Sequence, residues 1–290
     1  VYSLARLAVI TISESDDPLD ICMDNVFKAV FTKDSPESRG ALSKLLSAVI
    51  GRELSVISIT ANEPPIENIR DRQIRFDLSC KAEDGGLLNV EMSLNPDKCE
   101  PVRLEFHAGK LFTGQDIRGG GKTYNDLKEA YQIAILVKGR FFEGEVFLHK
   151  FEYYDKEFRV TLGGRTRIIT LELGKLEYLV HKPVEKMSAV ERWGFYFRYL
   201  RDKEKRGKIN EIMEREEGIA MASEVVMTIS KDEIERARLM SEYKYELDTQ
   251  SRIGHARQEG EQRKAAEILE LIDSGYTPEQ IRERLKADNV

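Results

Sequence analysis

The chain has 290 residues, 33% charged and 41% hydrophobic, with a formal net charge of −6. That length accommodates one large domain or two smaller ones, and no apolar run approaches the roughly 20 residues a membrane span requires. The acidic balance disfavours strong sequence-independent nucleic-acid binding, so any such contact must come from a local basic patch.

Leu7-Ala8-Val9-Ile10 is too short for the apolar stretch of a secretory leader and precedes acidic Glu14, Asp16 and Asp17, so no export signal is expected. Residues 21–31 and 38–50 read as two helices split by Ser35-Pro36, which offers a capping serine and a proline in a tolerated first-turn place. Val56 to Ile59 is a short strand candidate, followed by a loop around Pro64-Pro65.

The next segment is the most informative. Ile74, Phe76, Leu78 and Cys80 alternate with polar residues, and so do Leu88, Val90, Met92 and Leu94. A period of two predicts two strands with one buried face each. Asp84-Gly85 between them supplies the positive φ that a tight hairpin needs. Folding about Asp84 places Asp77 opposite Glu91 and Ser79 opposite Asn89. Opposed side chains have Cβ atoms about 4.5–5.5 Å apart, where like charges repel. A divalent cation bound by Asp77 and Glu91 would offset that repulsion, since Mg²⁺ takes carboxylate oxygens, waters and substrate phosphate. The plainer alternative is a solvated acidic face neutralised by Arg72 or Arg75.

Residues 102–117 predict a helix, on which Arg103, His107 and Lys110 recur at helical spacing and share one face. Arg103 and Lys110, with Arg70, Arg72, Arg75, Arg118 and Lys122, are the best candidates for a local basic patch, the alternative being a solvated mixed-charge surface. Tyr131 to Val137 is a continuous apolar run of strand length and reads as a buried central strand. Residues 146–154, 158–162 and 167–173 are further strand candidates, the last two joined through Gly163-Gly164, with Phe151, Tyr153 and Tyr154 read as packing residues.

Composition changes near residue 185, and the chain beyond that point is rich in Glu, Lys, Arg, Ala and Met and reads as helical. The expected division is therefore a domain over 1–185 and a charged helical extension over 186–290. Glu211 to Lys264 shows a thin apolar stripe suited to an exposed or partner-bound helix. Thr277-Pro278-Glu279-Gln280 is a capping box that opens a last short helix after Gly275. Three cysteines, Cys22, Cys80 and Cys99, show neither CxxC spacing nor a framework, which suits a reducing cytoplasm. The four histidines lack zinc-ligand spacing.

Asp77, a turn, then Glu91-Met92-Ser93 resembles the core of the PD-(D/E)XK nuclease superfamily. More narrowly, the chain resembles the bacterial PD-(D/E)XK nuclease family transposases, also called Rpn-like recombination-promoting nucleases. Met23-Asp24-Asn25-Val26-Phe27-Lys28 to Phe31 matches the opening helix of that family. Arg103 with Phe106-His107, the stretch from Tyr124 to Leu136, and the Gly254 to Gly260 and Ile268 to Ile281 tail match in order.

The resemblance implies an α/β, restriction-endonuclease-like mixed sheet flanked by helices, with a C-terminal helical extension. It implies Mg²⁺- or Mn²⁺-dependent hydrolysis of DNA phosphodiester bonds, with Asp77 and Glu91 as metal ligands. Asp24 would orient water or a second ion, and Lys28, one turn on, would contact phosphate. Arg103, His107 and Lys110 would face substrate phosphate. Ser93 stands where the family carries Gln and the superfamily Lys, and a hydroxyl has neither the charge nor the reach of either. A catalytically impaired nuclease fold that binds DNA or protein, or a second copy of itself through the helical tail, is therefore the alternative.

Overall fold

The computed structural model describes residues 10–60, 78–117 and 121–287. Asp77, with Arg70, Arg72 and Arg75, lies outside the described residues, as does Arg118. The chain divides into two compact units, Val1–Arg236 and Ala237–Val290. The composition change near residue 185 falls inside the first of them.

The first unit opens with helices α1 (Asp24–Phe31) and α2 (Pro36–Ile50). As expected, Ser35 caps α2 by accepting the Ser38 amide at 3.2 Å, and Pro36 occupies the first turn. Strands β1 (Val56–Thr60), β2 (Leu78–Ala82) and β3 (Leu87–Ser93) form an antiparallel meander. Ser79 pairs with Asn89 and Cys80 with Leu88, the register that a turn centred on Asp84 dictates. Gly85 adopts φ 86°, and Asp84 Oδ1 accepts the Gly86 amide at 2.9 Å.

Helix α3 (Glu100–Thr113) then crosses to β4 (Ala130–Leu136), which runs parallel to β3. Next come β5 (Leu148–Phe151), a two-stranded hairpin of β6 (Tyr154–Asp155) and β7 (Val160–Thr161), and β8 (Thr166–Glu172). The main sheet has the order β1-β2-β3-β4-β8-β5.

This topology corrects two expectations. Strand β3 is buried on both faces rather than one, because helices cover the sheet: α3 lies over the face that carries Glu91, and α1 also packs against β3. Tyr153 and Tyr154 are 54% and 50% exposed rather than packed, because β6–β7 stands outside the main sheet, while Phe151 on the edge strand β5 is 41% exposed and does pack, against Phe142 and His149.

Helices α4 (Ala189–Tyr199), α5 (Arg206–Arg215) and α6 (Glu217–Lys231) belong to the first unit. Trp193, Tyr196 and Phe197 of α4 join Phe27 and Phe31 of α1 in one aromatic cluster. Helix α6 packs against α2 so closely that a Cβ at Gly218 would run into the Lys44 side chain. A chain ending at Arg236 is therefore expected to unfold cooperatively. One ending at Glu185 should lack a cooperative transition, since it loses Trp193, Phe195, Tyr196 and Phe197, each at most 2% exposed. Removing one large aromatic side chain costs about 3–5 kcal/mol, and these are four. Denaturant melts of both chains check this.

The second unit contains most of α7 (Glu233–Asp273) and α8 (Pro278–Ala287). The capping box at α8 is present: Thr277 N donates to Gln280 Oε1 at 2.9 Å and Gln280 N to Thr277 Oγ1 at 3.4 Å. Among the described residues no helix is long and apolar enough to cross a membrane.

Candidate functional site

Alternation along β3 puts Asn89, Glu91 and Ser93 on one face of the sheet, and the parallel register sets Asn89 beside Gln132, Glu91 beside Ala134 and Ser93 beside Leu136. Helix α3 covers this face, with Leu104 packing on Ala134 and Leu136. The sheet and the helix together bury Glu91 to 2% exposure.

A buried carboxylate needs partners, and α3 supplies two, one turn apart. His107 Nδ1 lies 3.1 Å from Glu91 Oε2, and Arg103 Nη2 lies 3.1 Å from Glu91 Oε1. The second approach is an ion pair without hydrogen-bond alignment, so the buried Oε1 has no hydrogen-bond partner. The same Arg103 Nη2 is 2.6 Å from Glu100 Oε1, a well-formed hydrogen bond within the first two turns of α3. Glu100 is itself 3% exposed. Burial pushes its carboxyl pKa upward, the Arg103 charge opposes that, the nearby Glu91 charge adds to it, and a hydrogen bond from Ser93 lowers it again.

Behind Glu91 the same face carries a buried polar line. Asn89 Nδ2 donates to Gln132 Oε1 at 2.7 Å, and Ser79 Oγ donates to Asn89 Oδ1 at 3.4 Å.

The structure thus brings Glu91, Ser93, Arg103 and His107 together. The expected opposite of Glu91, Asp77, lies outside the described residues. Lys110 is exposed and sits 6.0 Å from the centre of the Phe106 ring, a turn beyond His107. Asp24 and Lys28 pair with one another at 2.6 Å on α1, which packs against β3. Asp24 Oδ1 is buried without a hydrogen-bond partner. Arg103 and His107 differ from expectation in one respect: both turn toward a carboxylate, because Glu91 is buried and needs polar partners.

Sequence reasoning missed Glu100. Its signal was its spacing, three residues before Arg103 and seven before His107, which puts all three on one helical stripe. Gln132 was missed too, and its signal was a lone amide in an apolar strand.

A hairpin feeding a helical crossover into a parallel strand, with a buried glutamate under that helix, defines a restriction-endonuclease-like α/β architecture. Residues 21–256 match the family of PD-(D/E)XK nuclease family transposases, and the chain belongs to that family. No curated protein matches the chain, and no solved structure does.

Nucleases of this type generally use divalent metals. Among the described residues no three His, Cys, Asp or Glu side chains converge as a metal cluster. The donor chemistry nevertheless fits a hard cation: Glu91 offers a buried carboxylate oxygen that no hydrogen bond occupies.

Proposed function

We propose that the protein is a Mg²⁺-dependent DNA endonuclease of the recombination-promoting type. Asp77 and Glu91 would hold the ion. When bound, it supplies an acidified water and neutralises charge on the phosphate. The chain's own residues carry the other tasks. His107 fixes the rotamer of Glu91 through Oε2. Arg103 turns one guanidinium nitrogen onto the buried carboxylates, and with its side chain 43% exposed it would offer the rest of the fork to a phosphate oxygen. Lys110 adds positive charge one turn further along the path of the backbone. Asp24 would orient water, with Lys28 holding its carboxylate. The single observation that carries this proposal is Glu91 Oε1, buried on a central strand with no hydrogen-bond partner, in the Glu91-Met92-Ser93 stretch that resembles the family's core.

The test is nicking of supercoiled plasmid with and without Mg²⁺, paired with calorimetric Mn²⁺ titration of wild type and Asp77→Ala. Mg²⁺-dependent nicking and metal affinity that falls in Asp77→Ala are expected. Equal metal binding by both chains would remove Asp77 from the site.

The second reading, a nuclease fold used for binding, is favoured by Ser93. Its hydroxyl is buried beside Glu100, whose carboxyl pKa it helps to lower, and it lacks the charge and reach of the Lys or Gln it replaces. Ser93→Gln restores the family's residue and is expected to raise the Mg²⁺-dependent rate on the order of 10²-fold, the lower range for a positioned proton-transfer group. A folded Ser93→Gln chain that cleaves more slowly than an active wild type would mean that the site is organised around the hydroxyl.

A further inference from the structure

Glu100 is a buried carboxylate close to another buried carboxylate, a costly arrangement that the fold maintains on the first turn of α3. It touches the site through two neighbours. Its Oε1 takes the hydrogen bond from Arg103 Nη2 at 2.6 Å, and it accepts the Ser93 hydroxyl. The same guanidinium nitrogen stands 3.1 Å from Glu91 Oε1 without the alignment of a hydrogen bond. The Arg103 cation therefore stands within reach of both carboxylates and is hydrogen-bonded to Glu100.

We propose that Glu100 is a positioning residue: by taking the Arg103 hydrogen bond it keeps the guanidinium out of hydrogen-bond alignment with Glu91, and so leaves the lone pairs of Glu91 Oε1 to a divalent cation. The inference rests on the reading of Glu91 as a metal ligand. The physical reason is competition for lone pairs. A guanidinium fork closes on a carboxylate through two parallel hydrogen bonds when geometry permits. With Glu100 removed, Glu91 remains within ion-pair distance of Arg103, and closure there would occupy the oxygens that a hard cation needs. With Glu100 present, Arg103 stays charged, anchored and beside the phosphate path without blocking the metal position.

A double-mutant cycle on the full chain tests this, with Mn²⁺ affinity as the readout. Glu100→Gln keeps the shape and loses the charge, and it should weaken Mn²⁺ binding about tenfold, within the usual range of coupling between contacting residues. Arg103→Gln should bind Mn²⁺ at least as tightly as wild type. In the Arg103→Gln background, Glu100→Gln should change affinity by less than about twofold, because no guanidinium remains to be held. Glu100→Asp, which retains the charge, should recover part of the wild-type affinity.

A Glu100→Gln effect of equal size with and without Arg103 would overturn the proposal, since Glu100 would then act on the cation itself. So would a Glu100→Gln chain with unchanged affinity, or an Arg103→Gln chain with reduced affinity. Failure of the underlying reading looks different: wild type binds no Mn²⁺, or Glu91→Gln leaves its binding intact. If Glu100→Gln does not fold, the Arg103→Gln and Glu100→Asp arms still decide the question.

Discussion

Glu91→Gln is expected to lower Mg²⁺-dependent cleavage of supercoiled plasmid by about 10³-fold while leaving the protein folded. A catalytic metal contributes several kcal/mol to the transition state, and each 1.36 kcal/mol is a factor of about ten in rate. The amide fits the space of the carboxylate and can still accept from His107 Nδ1. Arg103 is not stranded, because Glu100 Oε1 already holds it at 2.6 Å. Removing one of two adjacent buried negative charges also relieves the repulsion that adds to the upward push burial gives the Glu100 pKa. Stability should therefore move by only about 1 kcal/mol, like most substitutions that strand no buried group. Rates and urea midpoints for the two chains decide between roles. A purely structural Glu91 predicts the opposite pattern, a large loss of stability and cleavage that survives in whatever protein remains folded.

Several parts of this site could be read from the chain alone. The hairpin register needed only the Asp84-Gly85 turn and the alternation on either side, both local, and the pairs Ser79/Asn89 and Cys80/Leu88 result from them. The cap of α2 at Ser35 and the box at Thr277 are likewise short-range chemistry. The features that escaped depend on distant pairing. The second buried face of β3 exists because helices cover the sheet, α3 over the face that carries Glu91 and α1 also packed against β3, and no alternation within β3 encodes that. Glu100 sat in view as a first-turn acid, a placement that the helix dipole alone explains. Only burial beneath the sheet–helix junction distinguishes it. The composition change near residue 185 marked the onset of helices but not the end of the first unit. Helix α6 buries Ile219, Ala222, Val225, Val226 and Ile229, a full apolar face beneath charged flanks that average out in composition.

The largest stability effect outside the site is expected at Glu172 and Lys175. Both side chains are at most 1% exposed, with Lys175 Nζ 2.7 Å from Glu172 Oε1. Glu172 Oε2 also accepts the amides of Phe141 at 2.5 Å and Phe142 at 3.2 Å, and Lys175 Nζ donates to the Val146 carbonyl at 3.0 Å. The pair therefore ties the segment between β4 and β5 to the end of β8. Removing one partner of a buried ion pair costs about 3–5 kcal/mol, because the other charge is left uncompensated. The two halves of this pair should differ. Lys175→Met leaves a carboxylate that still has two amide donors and should fall near the lower end of that range. Glu172→Leu strands an ammonium and two backbone amides at once, and each buried unsatisfied group adds about 1–3 kcal/mol. It should reach or exceed the upper end. Urea denaturation of the two single variants measures the order directly. If Lys175→Met proves the more damaging, the ammonium and its Val146 contact hold this segment, and the carboxylate does not.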